Sequence, residues 1–266
     1  MNARTLPTLV AVAHGSPDPR AERSTAALLR LVRALRPGLR VEPGFLENDR
    51  PRLADTLAGL CGGGRAVLVP LLFSRGYHVK HDIPGVLENV RDDLTVSTAA
   101  CLGPHPLLVD ALHSRLIEAG WHRDLTDPHA DAVVLAAAGS LDPESAAGTE
   151  YTAHMLADRL GGVPVLPAYA SASRPTVPEA VAALRERGHT RIAVASCFTA
   201  PGLFATRCAE AAPGVAAAPL GAHPALARLL LHRYDQARGA IPAPAPAPGL
   251  LYTSDAADDR IIVDLR

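Results

Sequence analysis

The chain has 266 residues, 48% of them apolar, and a net charge of −1. This is enough to build a core in one large or two smaller domains. The near-zero charge offers no polyanion-binding surface, and no run reaches the ~18 apolar residues of a membrane helix, so neither nucleic acid nor a membrane is an expected partner.

The first apolar run, Thr8 to Ala13 (TLVAVA), is a strand. It is short for a signal peptide, and the HGS that follows belongs to the fold rather than to a cleavage site. Residues 20–36 form a helix with Leu28, Leu31, Val32 and Leu35 on one face. A strand at 41–46, a helix at 51–60 and a strand at 66–73 follow. The last of these is apolar throughout, as a strand covered on both faces should be, although Pro70 cannot donate to a ladder. Asp82 reads as an N-cap, with Pro84 in the first turn of a helix running to about Val90. A strand at 94–102 and a helix at 105–119 close the half.

The order then repeats. Strands are predicted near 132–137, 163–169, 191–197 and 214–219, with helices between and after them. Alternation of this kind gives α/β lobes, each a parallel sheet with helices on both faces. The expected divisions are an N-terminal lobe at 1–120 carrying the active site, a degenerate repeat lobe at 130–238, and a tail at 239–266. The tail opens with the Pro/Ala spacer AIPAPAPAPG, expected to be extended and disordered, and ends in LLYTSDAADDRIIVDLR, which has no counterpart in the first half and reads as an artefact in preference to an added strand.

The two halves share VAHGSPDPR/AAAGSLDPE, FLENDRP/YASASRP and LGPHPLL/LGAHPAL. Gly15-Ser16 matches Gly139-Ser140, Arg50-Pro51 matches Arg174-Pro175, Gly76 matches Gly202, and His105-Pro106 matches His223-Pro224. Three polar residues do not persist: His14 falls on Ala138, Glu47 on Ser171 and His78 on Phe204. A duplicated fold keeps what holds it up, so residues kept in one copy only are candidates for chemistry.

His14, Glu47 and His78 each follow a strand, on the edge where open α/β sheets place their ligands. Two imidazoles and a carboxylate suit a divalent metal of borderline softness, and imidazole also moves protons near neutral pH. His81 lies close enough to substitute for a ligand or to serve the helix start. His105 and His223, present in both halves, read as structural. His113, His122, His129, His154, His189 and His232 read as surface residues. Lys80, the only lysine, with Arg20, Arg23 and Arg75, makes a candidate cationic rim. Ser16 and its neighbour Gly15 offer backbone N–H groups at a helix start. Cys61, Cys101, Cys197 and Cys208 form no C-x-x-C pair, which argues against a zinc ribbon or iron–sulfur centre and for free thiols in a reducing, cytoplasmic setting.

The motifs AHGSPDPRA, FLE and PLLFSRGYHVKHDIP resemble the sirohydrochlorin chelatase family in its two-lobe form, over about residues 7–237. The resemblance implies insertion of Fe²⁺ or Co²⁺ into sirohydrochlorin with release of two protons. It makes His14 and His78 the metal ligands and proton acceptors, and Glu47 a further catalytic carboxylate. The tetrapyrrole would lie between the lobes, with Ser16, Arg20, Arg75 and Lys80 at its carboxylates. The metal is substrate, no tightly bound cofactor is expected, and the duplicated lobes favour a monomer. A carrier of metal or tetrapyrrole, or a chelatase of another tetrapyrrole, would use the same residues. A histidine phosphatase would need Arg before its histidine, and Ala13 stands there.

Overall fold

The computed structural model describes residues 6–62, 64–127 and 129–239. The expected spacer and artefactual stretch at 240–266 lies outside them. The first half runs β1 (Thr8–Ala13), α1 (Pro19–Leu35), β2 (Val41–Phe45), α2 (Leu53–Ala58), β3 (Arg65–Pro70), a π-helical turn (His78–Asp82), α3 (Ile83–Leu87), β4 (Thr95–Thr98) and α4 (Pro106–Glu118). The second runs β5 (Asp131–Ala137), α5 (Pro143–Arg159), β6 (Val165–Tyr169), α6 (Val177–Glu186), β7 (Arg191–Ser196), α7 (Leu203–Glu210) and α8 (Pro224–Arg238).

The strands form two parallel sheets, ordered β2-β1-β3-β4 and β6-β5-β7. Helices cover both faces of each, because alternate residues of the central strands point to different cores. Val10, Val12 and Leu68 pack with Leu53, Leu57 and Ile83, whereas Leu9, Ala11, Val67 and Val69 face the opposite side. Ala132, Val134 and Ala136 pack with α6 and Cys208 of α7 in the same manner. The remaining faces of both sheets share one continuous core with α1, α4, α5 and α8.

That shared core is built by exchange. α4, from the first half, packs on β7 of the second, while α8 packs on β3 and β4 of the first. Tyr234, fully buried on α8, donates its hydroxyl to the Pro7 carbonyl at 2.7 Å, and Arg36 of α1 holds Asp235 of α8 through two bonds of 2.6 and 2.7 Å. The segment after α4 is not a loose link: Trp121 is buried in this core, and the buried Asp131 accepts the Asp124 N–H at 2.5 Å.

Several expectations shift. β3 ends at Pro70, and that proline is tolerated for a geometric reason. Leu68 bonds toward β4 and Leu71 toward β1, so the missing N–H at 70 faces the β4 side beyond Thr98, the last residue of that strand in register. The strand predicted at 214–219 is only an isolated bridge between Val194 and Ala216. Pro213 and Pro219 flank it and carry no N–H to extend a ladder. Asp82 is not an N-cap: its backbone is helical and its side chain makes no capping bond.

His105 and His223 explain their own persistence. Each is the N-cap of the last helix of its half, and each Nδ1 accepts a backbone N–H at 3.1 Å, from Leu107 and Ala225 respectively. His232 lies against the first of them, with ring centroids 4.8 Å apart. Burial pushes both capping imidazoles below their ordinary titration range. The cap needs an unprotonated Nδ1, and the unfolded chain binds the proton more readily. This contribution to stability is therefore complete above about pH 6.5 and is lost as pH falls below it. Replacing His223 by Ala should cost about 1 kcal/mol in urea unfolding at neutral pH. Replacing both histidines should flatten the decline in stability between about pH 7 and about pH 5.5; an unchanged slope would remove the caps from the pH dependence.

Candidate active site

The site begins with a crowded turn. Gly15, with φ +93°, follows β1, and a Cβ on it would lie 1.8 Å from the Glu47 carbonyl oxygen. Gly139 repeats the geometry at φ +89°, with 1.9 Å to the Ser171 carbonyl oxygen. Only glycine fits either place. The Glu47 N–H donates to the His14 carbonyl at 2.8 Å, and the Ser16 N–H donates to the Asp49 carboxylate at 2.9 Å. In the second half Ser173 Oγ takes the place of that carboxylate, 3.2 Å from the Ser140 N–H. Ser16 Oγ accepts the Asp18 N–H, as Ser140 Oγ accepts that of Asp142. The structure thus commits Ser16 to the turn itself, and its N–H is already spent on Asp49.

His14 and His78 meet on this scaffold. Their ring centroids are 4.4 Å apart and the rings are nearly perpendicular, at 81°. The His14 Nδ1 lies 3.0 Å from the Gly15 carbonyl oxygen, which requires the proton on Nδ1. The His78 Nδ1 lies 2.5 Å from Asp82 Oδ2. Each ring is therefore held through Nδ1, and each Nε2 is left with no hydrogen-bond partner among the described residues. A carboxylate or carbonyl behind an imidazole fixes its tautomer and raises its basicity as a ligand. The turn that carries His78 is wound as a π-helix, with the Ile83 N–H donating to the His78 carbonyl five residues back. Such bulges often sit at functional sites.

His78 and His81 also line a cavity of about 680 Å³ between the halves. Its other walls include Phe73 and Tyr77 from the first half and Ala138, Leu141, Thr149 and Phe198 from the second. Cys197 reaches this wall too, but burial pushes its thiol up to about 12, so it supplies no thiolate. All four cysteines are free.

The other candidate residues fall elsewhere. Glu47 is exposed, and its backbone bonds to the His14 turn. No group of three His, Cys, Asp or Glu side chains fit to hold a metal occurs among the described residues, so the carboxylate of Glu47 does not join the pair. His81 is exposed and stacks on Tyr77 at 4.7 Å. Arg20 is folded back on Asp18 at 2.7 Å, and Arg23 is exposed. Arg75 is exposed at the rim, 4.0 Å from Glu144. Lys80 reaches across the cleft to Asp142 at 2.6 Å and Glu144 at 3.2 Å, and these two carboxylates, Asp142 foremost, hold its ammonium above the usual lysine range.

Asp82, which reads from the sequence as an N-cap, is instead the partner of His78. The i,i+4 spacing of His78 and Asp82 was its signal, since residues so placed share a helix face. Replacing Asp82 by Ala should weaken Co²⁺ binding about 10- to 100-fold in calorimetric titration while leaving thermal unfolding nearly unchanged; equal affinity would show that the Asp82 carboxylate does not orient the ring.

Comparison with known proteins bears on this geometry. The profile of the CbiX family matches residues 8–119 and again residues 132–237. The sirohydrochlorin cobaltochelatase of Methanosarcina acetivorans is 28% identical over 123 residues, which make up 42% of this chain and 95% of that protein. The protein of the same name from Methanococcoides burtonii is 26% identical, over 41% of this chain and 94% of that one. Among solved structures, SirB from Bacillus subtilis with Fe³⁺ superposes with a TM-score of 0.70 at 22% identity, covering 87% of this chain and 95% of that one. A cobalt complex of SirB from Bacillus subtilis subspecies spizizenii gives a TM-score of 0.65 at 19% identity, over 87% and 94% of the two chains. At these identities the structures establish the fold. With both of its halves matched, this chain belongs to the CbiX family.

Proposed function

We propose that this protein is a chelatase that inserts Co²⁺ or Fe²⁺ into sirohydrochlorin. One observation carries the reading: two imidazoles, with ring centroids 4.4 Å apart and each tethered through Nδ1, keep both Nε2 atoms without a hydrogen-bond partner among the described residues, and one of the two, His78, lines the cavity between the halves. The family membership and the names of the curated relatives support the substrate.

The chemistry balances on these two side chains. The Nε2 atoms of His14 and His78 hold the divalent ion as two neutral donors. Two donors bind less firmly than the three or four protein ligands of a resident metal site, which suits an ion that must be handed on. Four macrocycle nitrogens then replace them, and two pyrrole N–H groups must lose protons. As the ion leaves, each Nε2 regains a lone pair and accepts one of those protons. The Gly15 carbonyl and the Asp82 carboxylate, already on the Nδ1 side, stabilise the resulting imidazolium ions. Imidazole passes its proton to water near neutral pH, which returns the pair to its starting state.

Glu47 has no part in this scheme, since no group of three metal-ligating side chains forms around the two histidines among the described residues. Arg75 and Arg23, both exposed, with Arg75 held only loosely by Glu144 at 4.0 Å, are the cations proposed for the acidic side chains of the macrocycle. A pair of imidazoles accepts either metal, so cellular supply rather than the ligand set selects between them.

Anaerobic metalation followed by absorbance tests the reading, with Co²⁺ and Fe²⁺ in turn. His14→Ala and His78→Ala should each lower the rate by at least 100-fold (about 2.7 kcal/mol of barrier) in folded protein. A folded wild type that binds both partners but does not accelerate their reaction would make the protein a carrier.

A further inference from the structure

We propose that Lys80 is a positioning residue whose bridge across the cleft makes the second half the anchor that aims His78. This rests on the reading that His14 and His78 hold the metal. Lys80 occupies the middle of the π-helical turn, two residues after His78 and two before Asp82. Its Nζ meets Asp142 Oδ2 at 2.6 Å and Glu144 Oε1 at 3.2 Å, with the Lys80 and Asp142 side chains only 28% and 18% exposed. The anchor is itself fixed, because Asp142 is the N-cap of α5 and accepts the Glu144 N–H at 3.0 Å.

The segment leading into the turn is docked on the same place. Ser74 Oγ lies 2.7 Å from Ser145 Oγ, and a Cβ on Gly76 would stand 3.2 Å from Ser140 Oγ. Three successive points of the His78 loop thus rest on the start of α5.

The pseudo-symmetric position keeps the capping aspartate, Asp18, but lacks the histidine, the lysine and the second carboxylate. There Phe204, Thr206 and Cys208 replace His78, Lys80 and Asp82, and the segment is an ordinary α-helix. Arg20 stands where Glu144 would be and ties up Asp18 instead of reaching across. The close approach between halves survives, with a Cβ on Gly202 falling 3.5 Å from Ser16 Oγ. The π-helical winding, the bridge and the histidine occur together, in one half only. A partly exposed ion pair adds little to global stability, so its value lies in holding a ring that must meet another ring.

The test is calorimetric titration of Co²⁺ alone into the full chain, together with steady-state metalation. Lys80→Met and, on the opposite wall, Asp142→Asn with Glu144→Gln should each weaken Co²⁺ binding about tenfold and lower kcat more than they raise KM. Asn still caps α5, so the second variant keeps the proposal testable if Lys80→Met fails to fold. Lys80→Arg should restore most of the affinity. Unchanged Co²⁺ affinity in both variants, with only a raised KM for the tetrapyrrole in Lys80→Met, would overturn the proposal and give Lys80 to the substrate carboxylates. Co²⁺ binding that survives replacement of both His14 and His78 by Ala would overturn the metal site itself, and the positioning role with it.

Discussion

The site depends on one close crossing of backbone. The turn after β1 passes so near the carbonyl of Glu47 that residue 15 has no room for a side chain. The crossing continues the β1–β2 ladder past its last strand residues, through the Glu47 N–H and the His14 carbonyl. It also brings Asp49 within reach of the Ser16 N–H. His14 therefore leaves the sheet from a backbone fixed on both sides, and its ring keeps only the freedom that the Gly15 carbonyl allows. A loose loop would place an imidazole within a few ångströms of its partner only some of the time, whereas a reacting pair must be held far more tightly.

The second half builds the same crossing without the imidazoles. Gly139, Ser140 and the Ser171 carbonyl reproduce the turn, while Ala138 and Phe204 remove the imidazoles. Even the unusual positive φ of Asn48 recurs at Ala172, both at 58°. Asparagine tolerates that conformation and alanine does so poorly, so the backbone has been kept where the side chain best suited to it has gone. The two copies have diverged within one chain: one half carries the imidazole pair, and the other supplies a wall and carboxylates that face the first half's lysine.

Much of this was legible in the sequence. Apolar runs of strand length alternating with amphipathic ones identified seven strands and the parallel arrangement. Comparing the halves singled out His14 and His78, which the structure brings together, and set aside His105 and His223, which it makes helix caps. It also nominated Glu47, which forms no three-residue ligand group with them among the described residues; a residue can be lost from one copy for want of any constraint as well as for chemistry. The charged residues were the least legible. Whether Lys80, Arg20 or Ser16 faces a ligand or a neighbour depends on distances between segments far apart in the chain. Asp82 was hidden by the neighbouring Ile-Pro, a strong local signal for a helix start that tertiary context displaced by winding the chain one residue wider.

The exchange of α4 and α8 makes each sheet the guardian of the other half's last helix. A chain cut between Ala119 and Ala130 would not yield two smaller versions of itself. The first piece would keep a helix made for a sheet it no longer has, and would expose the apolar faces of β3 and β4 that α8 covers. The buried turn around Trp121 thus does more than connect: it sets the local concentration at which the two pieces find each other. For a duplicated protein this removes the simplest route backward. The second half cannot be shed, because the half that keeps the paired histidines is closed by its final helix.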